Sequence, residues 1–139
     1  MKQCFHTLAL KPHGPGLSDF TRAAEGFVHD SGISNGLLTC FIRHTSASLV
    51  IQENADPDVL ADLATFMNRL VSRDTANYRH TAEGADDMPG HIRTMLTAVS
   101  LSVPVCDGAL ALGTWQALYL FEHRDAPGPR EIMLHLIGE

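Results

Sequence analysis

Residues 37–60, LLTCFIRHTSASLVIQENADPDVL, set the fold class. Leu38, Cys40 and Ile42 alternate with Thr39, Phe41 and Arg43, and Ala47, Leu49 and Ile51 alternate with Ser48, Val50 and Gln52. A period of two sends successive side chains to opposite faces, so strands are predicted over 37–43 and 46–52 with a turn between them. The period then changes. Asp56-Pro57 supplies a capping carboxylate and a proline at the first helical position. After it Val59, Leu60, Leu63, Phe66, Met67, Leu70 and Val71 recur on one helical face.

Working towards the N-terminus, residues 2–10 read as an opening strand closed by the breaker-rich KPHGPG at 11–16. Ser18 is the expected cap of a helix carrying Phe20, Ala23, Ala24, Phe27 and Val28, ended by Ser31-Gly32. Towards the C-terminus, residues 73–89 form a polar connection longer than loop statistics favour without a role. A short helix is predicted from about His91 to Val99, with Ile92, Met95, Leu96 and Val99 inward. Strands follow over 101–106, 109–113, 115–122 and 130–137, the first two joined by the hairpin dipeptide Asp107-Gly108. The prediction is a single α+β domain over residues 1–139, with a mostly antiparallel sheet system and two or three helices.

Composition narrows the function classes. A chain of 139 residues can bury a core without staples. Its net charge of −6, with only Lys2 and Lys11 and eight scattered arginines, argues against a nucleic-acid partner. No apolar run approaches the ~18 residues needed to span a bilayer, and the first ten residues lack a secretory apolar region, so a cytoplasmic protein without a membrane partner is expected. Cys4, Cys40 and Cys106 are too far apart in sequence for a zinc knuckle or redox motif. Cys40 and Cys106, in apolar strand-like runs, are expected to be buried and inert.

The candidate chemistry concentrates in residues 80–93, HTAEGADDMPGHIR. Two histidines, Glu83, Asp86, Asp87 and Arg93 crowd a segment that buries almost nothing apolar. Neutral imidazoles and carboxylates converging from a loop and a helix start are what a metal site needs, although acids ahead of a helix also fit a solvated loop. His44 opens HTSAS, whose hydroxyls and turn amides suit a phosphate or local backbone groups equally. Asp56 is explained as a cap, leaving Glu53 and Asn54 free for ligand contacts. Gly113, Thr114, Trp115 and Gln116 precede a long strand, where Trp115 is expected in core or interface. Glu122 ends that strand, and Arg124 and Arg130 flank the next turn as a surface ion pair or an anion clamp. Walker, GxGxxG and HExxH motifs are absent from the sequence.

Several segments together resemble the YjbQ-like family: HTSASLVIQENADPDVLADL at 44–63, YRHTAEGADDMPGHIR at 78–93, VPVCDGALALGTWQALYLFEHR at 103–124 and PREIMLHLIGE at 129–139. Members are described as secondary thiamine-phosphate synthases or as uncharacterised proteins. The resemblance implies packed β-sheets with the helices on one side, and a homotrimer with clefts near the subunit boundaries. It also implies one site. His44, His80 and His91 are then the metal ligands, with zinc expected and magnesium the alternative for pyrophosphate chemistry. Glu53, Asp87 and Glu122 are the acid–base candidates. Thr45, Ser46, Asn54, Arg93, Thr114, Gln116 and Arg130 are expected to contact a small phosphorylated substrate. Arg93 stands where many relatives have lysine, which keeps the charge and changes its geometry. The implied reaction joins a pyrimidine diphosphate to a thiazole phosphate and releases pyrophosphate. A metal-dependent phosphate-ester hydrolase and a noncatalytic trimeric metabolite binder are the alternatives.

Overall fold

Alternating apolar runs pair into two antiparallel sheets in the computed structural model, which describes residues 1–139. The strands are β1 (Lys2–Leu10), β2 (Gly16–Asp19), β3 (Gly36–Ile42), β4 (Ala47–Glu53), β5 (Ser100–Cys106), β6 (Ala109–Leu110), β7 (Gln116–Glu122) and β8 (Arg130–Gly138). One sheet has the order β1-β8-β3-β5-β6 and the other β2-β7-β4. The helices are α1 (Thr21–Ser31), α2 (Pro57–Leu70) and α3 (Asp87–Leu96), with a 3-10 turn at Thr75–Asn77. None is long and apolar enough to cross a membrane.

The pleat decides what is buried. Leu38, Cys40 and Ile42 of β3, with Ile132, Leu134 and Leu136 of β8, meet Leu49 of β4 and Leu118 and Leu120 of β7 across the gap between the sheets. Phe20, Ala24 and Val28 at α1 complete that core. On the outer face of the smaller sheet, α3 packs over β4, where Thr97 just beyond the helix donates to Ser48 Oγ at 2.6 Å. All the helices therefore lie on one side of the larger sheet, leaving Phe5, Leu37 and Phe41 exposed on its other face.

Both predicted central strands form, within a residue of the expected bounds. Asp56 caps α2, accepting from the Asp58 amide at 2.9 Å. Asp107 and Gly108 take positive φ values of 50° and 76°, the geometry of a tight hairpin turn. Elsewhere the structure corrects the sequence reading. Ser18 is not a cap but a residue of β2 opposite Leu120, a four-residue strand too short to show a period. Asp19 instead accepts from the Thr21 amide at 2.8 Å. The sixth strand shrinks to Ala109–Leu110, and Cys106 is exposed. Cys40 is buried as expected, and that burial pushes its thiol up to about 12.

The helices depart most from expectation. The third starts at Asp87, four residues before His91, so His91 lies within it rather than at its start. Its buried residues are Asp87, Pro89, Gly90, Arg93 and Thr94, while Met95 and Leu96 face outward. A Cβ built on Gly90 would lie 3.4 Å from the Ser46 Cβ and 3.6 Å from the His123 Cβ, so glycine brings the helix close to the sheet. In α2 only Met67 is buried, and Phe66 and Leu70 are 60% and 55% exposed.

Candidate metal centre

Four residues separate Asp87 from His91, one helical turn, so both side chains project from the same face of α3. The loop before the helix carries His80 back over that face. His80 Nε2 lies 2.6 Å and His91 Nε2 3.1 Å from the same oxygen, Asp87 Oδ2. The potential ligand atoms of His80, Asp87 and His91 all fall within 4.8 Å of one another. His80 is exposed, His91 half-buried and Asp87 buried, so the trio forms a shallow cup with its carboxylate at the bottom.

The tautomer of His91 gives the cup its chemistry. Its Nδ1 lies 3.0 Å from the Thr45 carbonyl oxygen, which only accepts, so Nδ1 carries the proton. In a neutral ring Nε2 then presents a lone pair to Asp87 Oδ2, a second acceptor. Two acceptors at that separation need a proton or a cation between them. Ligand atoms at about 2.0–2.2 Å from a tetrahedral zinc stand roughly 3.3 Å apart, near the 3.1 Å of His91 and wider than the 2.6 Å of His80 from Asp87 Oδ2. A backbone carbonyl fixing the far nitrogen is also how metal-ligating histidines are oriented.

Asp87 is held from behind. Arg124 Nη1 donates to Oδ1 at 2.6 Å, while Arg124 Nε donates to Asp86 Oδ2 at 3.0 Å and Nη2 to the Glu83 carbonyl at 2.9 Å. The Asp125 amide also donates to Asp86 Oδ2, at 2.9 Å. Burial pushes the Asp87 carboxyl up, but the His80 hydrogen bond and the Arg124 charge outweigh it, so it stays below the ordinary range. Asp86 is held down in the same way, burial being outweighed by the Asp125 amide and Arg124. The acidic loop is thus pinned to the end of β7 by one guanidinium.

His44, an expected ligand, is not in this cluster. Its Nε2 accepts from the Glu131 amide at 2.8 Å, and its Nδ1 faces Arg130 Nη1 at 3.3 Å. Burial first, then the Arg130 charge, keep the imidazole below its ordinary pKa. Glu122 and Arg130 are paired with each other, apart from the cup. Glu122 continues the inward face of β7 and Arg130 that of β8, and they meet across the core with contacts of 2.6 and 2.5 Å. Arg130 Nη2 also donates to Ser46 Oγ at 3.1 Å, and Glu122 accepts from the amides of His123 and Arg124. This buried pair ties the two sheets together.

The remaining expected site residues disperse. Thr45 contributes its carbonyl to His91. Glu53 Oε2 accepts from the Asp56 amide at 3.0 Å, completing the turn into α2. Asn54 Nδ2 reaches the Thr114 carbonyl at 3.4 Å, and Gln116 Oε1 accepts from the Gly113 amide at 2.8 Å. Trp115 is 63% exposed rather than in the core. Arg93 reaches from α3 to Asn68 Oδ1 of α2 at 3.2 Å, away from the histidines. Two residues gain importance. Arg124 orients Asp87, a role that chain spacing cannot show, and Asp87 itself lies with the two histidines. Its i, i+4 spacing to His91 was the available signal.

A family model described as UPF0047 protein YjbQ-like matches residues 6–139. A UPF0047 protein of Synechocystis is 52% identical over 95% of this chain and 90% of its own length. The UPF0047 protein YjbQ of Salmonella typhimurium is 45% identical, over 96% of this chain and 95% of its own length. Among solved structures, a protein of unknown function from Sulfolobus solfataricus superposes with a TM-score of 0.91 at 25% identity, covering 99% of both chains. A YjbQ/UPF0047 protein of Clostridium acetobutylicum gives 0.87 at 32% identity, over 95% of this chain and 99% of its own. The chain, with its two packed antiparallel sheets and its histidine–aspartate cup, belongs to the YjbQ-like UPF0047 family.

Proposed function

We propose that the protein is a metal-dependent enzyme acting on a small phosphorylated metabolite, with a divalent ion, zinc first, held by His80, Asp87 and His91. The observation that carries this reading is the convergence of His80 Nε2 and His91 Nε2 on Asp87 Oδ2, with the far nitrogen of His91 held at the Thr45 carbonyl. Three protein ligands with His80 open to solvent match a catalytic zinc site, which keeps a position free, rather than a closed structural one. A bound ion would supply Lewis acidity for a departing phosphate or pyrophosphate. The chain's own work is to keep His91 in one tautomer through Thr45 and Asp87 ionised through Arg124.

Within this reading the first reaction to test is thiamine-phosphate synthase-like transfer, which forms a C–N bond between a pyrimidine diphosphate and a thiazole phosphate and releases pyrophosphate. A hydrolase of phosphate esters is the second, since the same cup polarises either leaving group. Self-association as a trimer is part of the proposal, supported by large apolar side chains exposed on two separate faces.

The test starts with elemental analysis of protein purified without chelator, which should find one divalent ion per chain. Incubation with both thiamine precursors should release pyrophosphate, and His91→Ala should abolish it. Phosphate release from single esters, without a second substrate, would favour the hydrolase. Metal-free protein whose ligand binding is unchanged by His91→Ala would overturn the metal reading altogether.

A further inference from the structure

On the opposite side of α3 from the histidine cup lies a cavity of about 160 Å³ between that helix, α2 and the end of β7. Its lining includes Met67, Asn68, Arg73, Arg93, Phe121 and Asp125 but none of His80, Asp87 and His91. Water occupies ~30 Å³ in the liquid, so the cavity has room for on the order of five waters or one compact polyatomic ion.

Its charges do not balance. Arg73 is committed to Asp125, with Nη1 3.0 Å and Nη2 2.5 Å from the two carboxylate oxygens. Glu122, the other acid in the lining, is saturated by Arg130 from the core side. That leaves Arg93. It is only 6% exposed and forms no ion pair. Its Nη2 donates to Asn68 Oδ1, and its Nε is buried without any partner. Burying a guanidinium with no counter-charge is among the costlier arrangements a fold can keep. Asn68 spends its oxygen on Arg93, which leaves its amide nitrogen as a donor.

We propose that this cavity is a binding site for a compact oxyanion, a phosphate group or its tetrahedral equivalent, with Arg93 as its counter-charge. A planar guanidinium offers paired donors that suit phosphate oxygens, and the anion would supply the acceptor that the buried Nε lacks. The inference does not rest on the metal reading, because the two sites share no lining residue.

The experiment titrates inorganic phosphate, sulfate and acetate at constant ionic strength into phosphate-free protein, followed by calorimetry and melting temperature. Wild type should bind phosphate saturably with a rise in melting temperature, sulfate similarly and acetate less well. Arg93→Met should weaken phosphate at least about tenfold, the loss of one charge-assisted contact. That variant should melt no lower than wild type without anion, since it removes an unpaired buried charge. Asn68→Leu, which keeps every charge, should weaken binding too, and provides the test if Arg93→Met does not fold. His91→Ala should bind phosphate as wild type does, whatever becomes of metal. No saturable binding in wild type, or binding undiminished in the Arg93 and Asn68 variants, would overturn the proposal. Binding lost in His91→Ala but kept in Arg93→Met would also overturn it, by placing the anion at the histidine cup.

Discussion

Arg124 Nη1 holds Asp87 Oδ1 at 2.6 Å, and so leaves Oδ2 as the oxygen that both His80 and His91 face. Without this grip the carboxylate could rotate about its last bond and present either oxygen. Arg124→Gln keeps a donor at the site but removes the charge and the fork. We expect it to lower zinc affinity by about 10–100-fold, the usual effect of losing a partner that orients a ligand. Competition against a chromogenic chelator measures this, with far-UV circular dichroism confirming an intact fold. Unchanged affinity would mean the histidines alone orient Asp87.

His123 makes a separate prediction about pH. Its ring is 2% exposed, with Nε2 2.8 Å from Ser48 Oγ and Nδ1 buried without a partner. Burial first, then the charges of Arg93 and Arg130, hold its pKa down at about 3, against an ordinary value of 6.5. Below pH 6.5 the unfolded chain takes up a proton that the folded chain refuses, so stability is full above that pH and falls as pH drops towards 3. Well inside this window the slope from one such group is about 1.4 kcal/mol per pH unit. His44, also held below its ordinary value, adds to the loss in the same direction. Urea unfolding at pH 7, 6 and 5 should show the decline, and His123→Leu should flatten it. An undiminished slope in that variant would move the effect to other groups.

How much of this was legible in the chain follows from what each residue answers to. Strands β3 and β4 and the start of α2 were readable because alternation and an Asp-Pro start are local signals. The pairing of β2 with β7 was not, since Gly16–Asp19 joins the sheet through a register set about a hundred residues away. In α3 the apolar positions mislead. Arg93 and Thr94 are buried while Met95 and Leu96 are exposed, so the helix turns a polar face to the sheet and an apolar face outward. His80, Asp87 and His91 were all singled out in sequence, but grouping them depended on where Thr45 and Arg124 sit in the fold. His44 shows the converse. Its neighbouring hydroxyls suggested a site, and the partners of its ring are a backbone amide and an arginine drawn from the other end of the chain.

Glu122 and Arg130 give a double-mutant test. The pair bridges β7 and β8 with both residues largely withdrawn from water, at 1% and 8% exposure. Removing either partner strands the other charge. Glu122→Gln or Arg130→Met alone should therefore cost on the order of 3–5 kcal/mol. The double variant Glu122→Gln with Arg130→Met should recover much of that loss, since no unpaired charge remains. Chemical denaturation of the four proteins gives the coupling directly. Additive losses would show that the two groups contribute independently.

The outward apolar face of the last helix leads to the assembly. Phe66, Leu70, Met95 and Leu96 are exposed on α2 and α3, and Phe5, Leu37 and Phe41 are exposed on the uncovered face of the larger sheet. A closed three-membered ring needs two different patches on each subunit, one meeting the other on its neighbour, whereas a two-fold dimer needs only one patch meeting itself. Two separate apolar surfaces favour the ring. Light scattering should then give three times the chain mass of 15.1 kDa. Phe66→Glu on the helix side and Phe41→Glu on the sheet side should each release monomer, because either substitution puts a charge into the same junction. Mixing the two variants should at best cap single junctions and yield dimers, since each retains one intact patch of the opposite kind. A native particle of two chains, or one undisturbed by either substitution, would remove the ring.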